Sequence, residues 1–153
     1  MFTRMDHVAM SVRDMERTIA FYEDVVGMTK VFDRTFDEPM ARLIGVAGTV
    51  VRIVHLRFHD EVLELFHYEY PPGREPRPDA RQSDFGLIHI GFMVKDFHAT
   101  YQDLLDRGVS FLGEPVEIRP GVRVAYFRGA EYEVCEIREI QDRGEASGET
   151  GED

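Results

Sequence analysis

The chain carries one pattern twice, and a duplicated unit restricts the fold more than any other feature of the sequence. The first copy runs from "DHVAMSV", which contains His7, to Asp14 and then "MERTIAFYEDVVG". There Met15, Ile19, Tyr22 and Val26 recur at helical spacing, and Gly27 stands where a helix would end. The second copy runs from "IHIGFMV", which contains His89, to Asp96 and then "FHATYQDLLDRG", with Phe97, Tyr101, Leu104 and Gly108 in the matching places. Asp14 and Asp96 are suited to cap the two helices, since a short acceptor side chain satisfies the free N–H groups of a first turn. After each glycine the sequence reads as strands: "TKVFDRTF", "TVVRIVHLRF" and "EVLELFHYEY" in the first copy, "VSFLGEPVEI", "VRVAYFR" and "YEVCEIREI" in the second. Both copies therefore read βαβββ, an α+β chain of two tandem modules over residues 1–70 and 87–140. Between them "PPGREPRPDARQSDFG", residues 71–86, is too rich in proline, glycine and arginine to be an element and reads as a linker.

Composition narrows the function. A chain of 153 residues, 43% hydrophobic, can bury a core without covalent staples. The lone Cys135 excludes an intrachain disulfide and suits a reducing compartment. The opening "MFTRMDHVAM" has no apolar signal-peptide region and no apolar run approaches a bilayer span, so the expectation is a cytoplasmic protein with no membrane partner. A formal net charge of −11 with no basic stripe argues against nucleic acid as a partner. Residues 141–153, with five acids and one arginine, read as a disordered, solvated tail.

Strand phase then brings four side chains into register. Successive residues of a strand face opposite ways, so Val8, Met10 and Val12 share one face while His7, Ala9 and Ser11 share the other. In the second copy Ile90, Phe92 and Val94 oppose His89, Gly91 and Met93. The apolar faces require a helix on them, which puts each histidine on the opposite face among small residues. By the same test Leu63 and Leu65 lie on the helix side with Glu64 opposite, and Cys135 and Ile137 on the helix side with Glu136 opposite. A single strand histidine is most often a hydrogen-bonded structural residue; two histidines and two glutamates in duplicated phase are not so easily explained. Carboxylates on an inner face need a counter-charge, and two imidazoles with two carboxylates form a sound donor set for a divalent ion.

The stretches "DHVAMSVRDMERTIAFYEDVVGM", "EVLELFHY", "IHIGFMVKDFHATYQDLLDRGV" and "VAYFRGAEYEVCEI" resemble the vicinal oxygen chelate superfamily, which includes glyoxalase I, methylmalonyl-CoA epimerase, extradiol dioxygenases and bleomycin and fosfomycin resistance proteins. The resemblance covers residues 5–140. It implies that the paired modules form an incomplete eight-stranded barrel, one glyoxalase-like domain overall. It also implies one divalent ion (Ni, Co, Zn, Mn or Fe(II)), held by His7, Glu64, His89 and Glu136. The chain departs from many relatives at the last hairpin, "RGAEYE" in place of a sequence like "RDPDG".

Four protein donors leave two positions of an octahedral ion for a substrate with two vicinal oxygens. That fits the isomerase or lyase branch, glyoxalase I or epimerase type. There the resemblance implies abstraction of a proton next to a carbonyl, a metal-chelated enediolate or enolate, and Glu64 or Glu136 as the base. The triad His7, His89 and Glu136 alone would suit an Fe(II) extradiol ring-cleavage dioxygenase, and a small-molecule binding or resistance protein is the third reading.

Substrate contacts are expected from His55, Arg57, Phe66, Tyr68 and Met93. The first two face Glu64 only if "HD", residues 59–60, is a two-residue turn. Tyr126 and Arg123 are further candidates. Arg74, Arg77 and Arg81 are candidates for the basic residues that a glutathione or coenzyme A group would want, and read equally as a plain solvated loop. His59, His67 and His98 are read as non-ligands. The open edges of two four-stranded sheets, together with the resemblance, imply a homodimer.

Overall fold

The structure, a computed structural model, describes residue 3 and residues 5–75, 83 and 85–141. The acidic tail beyond Gln141 and the linker residues Arg77 and Arg81 lie outside the described residues. The chain divides into two compact units, Met1–Asp84 with Ala130–Tyr132, and Phe85–Gly129 with Glu133–Asp153.

In the first unit, strand β1 (Val8–Ser11) leads into helix α1 (Met15–Phe21). Asp14 caps the helix by accepting the Arg17 N–H at 3.0 Å, and Met15, Thr18 and Ile19 are buried. The helix expected to continue to Val26 instead widens into one π-helical turn, Tyr22–Val26, which Gly27 closes at φ 84°. Tyr22 is fully buried within that turn. Strand β2 (Thr29–Phe36) follows, then a short helix α2 (Glu38–Ile44) that sequence reading missed, then β3 (Val50–Phe58) and β4 (Glu61–Tyr70). The four strands pair in the order β1-β4-β3-β2, β1 parallel to β4 and the rest antiparallel.

The second unit repeats the plan with β5 (Ile90–Met93), α3 (Phe97–Asp106), β6 (Val116–Arg119), β7 (Val122–Arg128) and β8 (Val134–Ile140), ordered β5-β8-β7-β6. Asp96 caps α3 by accepting the Ala99 N–H at 3.0 Å. The buried carboxylate of Glu139 accepts a second N–H of that first turn, from Phe97 at 3.1 Å. The run "VSFLGEPVEI" yields only the short β6, with Phe111 making an isolated bridge to Phe127.

The architecture is α+β: two four-stranded mixed sheets, each with the apolar face that phase had predicted. Leu63, Leu65, Cys135 and Ile137 are all buried. Removing a side chain such as Leu65 would cost roughly 2–5 kcal/mol, lost transfer energy plus the cavity left behind. No helix of the described residues is long and apolar enough to cross a membrane.

Candidate metal centre

Parallel pairing of the first and last strand of each unit positions the two histidines and two glutamates. In the first unit Ala9 is opposite Glu64, and His7 lies one pleat before Ala9 on the same face. In the second, Gly91 is opposite Glu136, and His89 stands in the same relation to Gly91. The consequence is the same contact twice. His7 Nε2 lies 3.3 Å from Glu64 Oε2, and His89 Nε2 lies 3.3 Å from Glu136 Oε2.

The carboxylates are mostly withdrawn from water, their side chains 14% and 13% exposed, and among the described residues neither has a lysine or arginine within ion-pair distance. Among the described residues their ionic partners are imidazoles. His7 Nδ1 lies 3.1 Å from Asp6 Oδ2. When Nδ1 donates there, Nε2 meets the Glu64 carboxylate either through a second ring proton or through a cation between or beside them. Two donors each about 2.1 Å from a divalent ion, at tetrahedral or octahedral angles, stand about 3.0–3.4 Å apart. The observed separation in both pairs falls in that range, so the donor set fits a metal. Among the described residues no group of three or more His, Cys, Asp or Glu side chains is arranged to hold an ion by itself. The donors come as two pairs, one per unit.

The units differ in what surrounds each pair. The turn at 59–60 has two residues, with His59 at φ 56°, so that His55 pairs with Glu64 and Arg57 with Val62. His55 Nε2 approaches Glu64 Oε1 at 3.0 Å, and its ring stacks on Phe32 at 4.5 Å. Both oxygens of Glu64 are thus engaged. The register-equivalent of His55 in the second unit is Tyr126, opposite Glu136, and its ring lies 5.2 Å from that of His89. Glu136 has no second ionic partner among the described residues. It packs against Gly91, where a Cβ would meet Glu136 Oε2 at 3.2 Å.

Of the expected substrate contacts, Phe66 and Tyr68 stack at 6.1 Å on the Glu64 face, Met93 is exposed on the His89 face, and Arg57 is exposed at the end of β3. Arg123 lies instead on the helix-side phase, 3.4 Å from Glu139. His67 reaches the Val12 carbonyl at 3.2 Å, His59 occupies the turn, and His98 lies on α3. One polar side chain on the Glu136 face was missed. Arg138, one pleat beyond Glu136, has a buried Nε without a hydrogen-bond acceptor among the described residues. His89 Nδ1 is buried and unpaired in the same way.

Comparison with known proteins agrees with the fold. The chain is 35% identical over 121 residues to a 2-epi-5-epi-valiolone epimerase of Actinomyces sp, a match covering 75% of this chain and 65% of that protein. It is 27% identical over 119 residues to the mitochondrial methylmalonyl-CoA epimerase of Homo sapiens, covering 75% of this chain and 60% of the human one. The chain thus spans somewhat less than two thirds of the length of both epimerases. Among solved structures it resembles a glyoxalase family protein from Bacillus cereus with a TM-score of 0.83 at 23% identity, over 92% of this chain and 97% of the other. The family model for the Glyoxalase/Bleomycin resistance protein/Dioxygenase superfamily matches residues 4–135, and with its duplicated β-α-β-β-β units this chain belongs to that superfamily.

Proposed function

We propose that the chain is a divalent-metal-dependent isomerase or lyase of the epimerase type, in which a carboxylate removes a proton from a carbon next to a carbonyl. The observation that carries this reading is the matched pair of His–Glu contacts, one in each unit at 3.3 Å. That two relatives in sequence are named epimerases supports the reaction class. His7, Glu64, His89 and Glu136 would hold the ion, which when bound would supply a Lewis acid to a substrate bearing two vicinal oxygens.

The base is assigned to Glu136. Glu64 is clamped by His7 on one oxygen and by His55 on the other, so a proton taken there would compete with two imidazoles. Glu136 keeps one oxygen without such a partner among the described residues, and that oxygen is open to receive a proton. Tyr126 and Phe66 give the two faces an aromatic character suited to a small acyl or cyclic group.

The test is exchange of the carbon-bound proton for solvent deuterium under strict anaerobiosis, over a panel of α-hydroxyketones and α-branched acyl thioesters. The protein is purified without chelator, assayed for metal content and reloaded with Mn²⁺, Co²⁺, Ni²⁺ or Zn²⁺. Metal-dependent exchange is expected. Glu136→Gln should lose it by at least about a hundredfold, within the range general-base catalysis contributes, and Glu64→Gln should keep much of the rate. Substrate-dependent oxygen uptake by the Fe²⁺-loaded protein with a catechol, without anaerobic exchange, would instead assign His7, His89 and Glu136 to a ring-cleaving dioxygenase.

A further inference from the structure

Strand β8 places a guanidinium beside the assigned base. Glu136 is opposite Gly91 on β5 and Tyr126 on β7, and Arg138 is opposite Met93 and Val124 on the same two strands. Alternation therefore puts Arg138 on the face that carries Glu136 and His89, with Cα atoms of 136 and 138 about 7 Å apart. The lateral neighbours of Arg138 on that face are a methionine and a valine, and neither accepts a hydrogen bond from it.

Several other arginines are paired, while Arg34, Arg42, Arg57 and Arg119 have no carboxylate partner among the described residues and, unlike Arg138, leave no nitrogen buried without an acceptor. Arg52 lies between Asp33 and Glu16, Arg13 reaches Glu75, Arg17 reaches Glu131 and Arg123 reaches Glu139. Arg138 has no carboxylate partner among the described residues, and its Nε is buried without an acceptor. This occurs in a chain with 29 acidic and 18 basic residues, where a partner would have been easy to supply. A buried donor left unsatisfied costs roughly 1–3 kcal/mol. The duplication also breaks here. Ser11 pairs with Phe66 as Met93 pairs with Arg138, so the first unit has an aromatic ring where the second has a guanidinium. Core packing does not call for that exchange, whereas a guanidinium on this face suits an oxyanion, because its planar fork matches a carboxylate or phosphoryl group with two parallel hydrogen bonds.

We propose that Arg138 is a substrate-anchoring residue. On the metal-dependent reading above, the substrate is then an anion whose carboxylate or phosphoryl group lies roughly one strand pleat, about 7 Å, from its vicinal oxygens.

Two pairs of probes test this. 2-Oxoglutarate and 2-oxobutyrate share the vicinal oxygens but only the first has a distal carboxylate; dihydroxyacetone phosphate and dihydroxyacetone differ in a phosphoryl group. Binding is measured calorimetrically with and without Mn²⁺, to the wild type, Arg138→Met and Arg138→Lys, with Mn²⁺ affinity titrated separately in each. The wild type should prefer the member with the additional anionic group in at least one pair by about tenfold or more. Arg138→Met should abolish that preference, Arg138→Lys should retain part of it, and Mn²⁺ affinity should stay within about twofold throughout. The pair that shows the preference distinguishes carboxylate from phosphoryl. Equal binding of the two members in both pairs by the wild type, or a preference undiminished in Arg138→Met, would overturn the assignment. Failure of Mn²⁺ to bind while the Arg138-dependent preference persists would sink the metal reading and leave the anion site standing. Thermal melts of each variant confirm folding, and Arg138→Lys decides the question should the methionine variant not fold.

Discussion

His55 links the aromatic wall to the Glu64 carboxylate: its ring stacks on Phe32 at 4.5 Å while its Nε2 meets Glu64 Oε1 at 3.0 Å. If that contact orients a metal-binding carboxylate, His55→Phe keeps the stack but frees Glu64, and should weaken Mn²⁺ binding by about tenfold, the lower end for loss of a group that orients a ligand. His55→Gln, whose amide N–H reaches a similar position, should restore most of it. Mn²⁺ titration by water-proton relaxation reads both variants, and equal loss in the two would reduce His55 to a packing residue. The paired histidines and glutamates were legible in the sequence because strand alternation is strict and was present twice. Arg138 was not legible. An arginine two residues beyond a strand glutamate ordinarily reads as solvated, and only the burial of its Nε sets it apart.

Element by element, the local signals that succeeded were those with a covalent or capping cause. Asp14 and Asp96 cap the helices as expected, and Gly27 and Gly108 adopt the positive φ that ends a helix. Helix α2 escaped because its seven residues bury only Ala41, too little to leave a periodic pattern, although Asp37 and Gly45 mark its ends. Position also escaped at Arg52, which phase alone would not tie to β2 and α1. Its guanidinium bonds both Asp33 oxygens at 2.8 Å and Glu16 at 2.5 Å. The hydrogen bonds from Arg52 hold the Asp33 carboxyl down to about 2, and Lys30 adds to this against the opposing effect of burial. Because the folded value lies below the unfolded one, this stabilisation is complete above the unfolded value near 3.8 and is lost as pH falls through about 2. Asp33→Asn should therefore cost about 1 kcal/mol at pH 7, discounted for partial exposure. Urea titrations at pH 7, 4 and 3 should show the difference between wild type and variant narrowing only over the last interval. A gap independent of pH would mean that packing, not charge, is what the substitution removes.

At the scale of the whole molecule, two four-stranded sheets leave four edge strands, β1 and β2 in one and β5 and β6 in the other. Edges present unpaired backbone groups, and natural chains cover them or pair them with another chain. Strand β6 is the least protected. All four of its residues are exposed, and Val116 and Ile118, at 53% and 58%, put two apolar side chains on one face. Leu112, also exposed, precedes them. An apolar edge of this kind costs solubility in a monomer and is used economically when a second copy covers it by a two-fold axis, since the same patch then serves both sides. The protein should accordingly run as a homodimer, with a light-scattering mass of twice 17.7 kDa at micromolar concentration. Val116→Lys combined with Ile118→Lys should shift that mass to the monomer if β6 is the contact. Because neither substitution alters His7, Glu64, His89 or Glu136, retention of Mn²⁺ binding in the monomeric variant would show that one chain suffices for the metal. Loss of Mn²⁺ together with the dimer, with the thermal melt intact, would show that two copies are needed, and a wild type that scatters as a monomer would remove the dimer altogether.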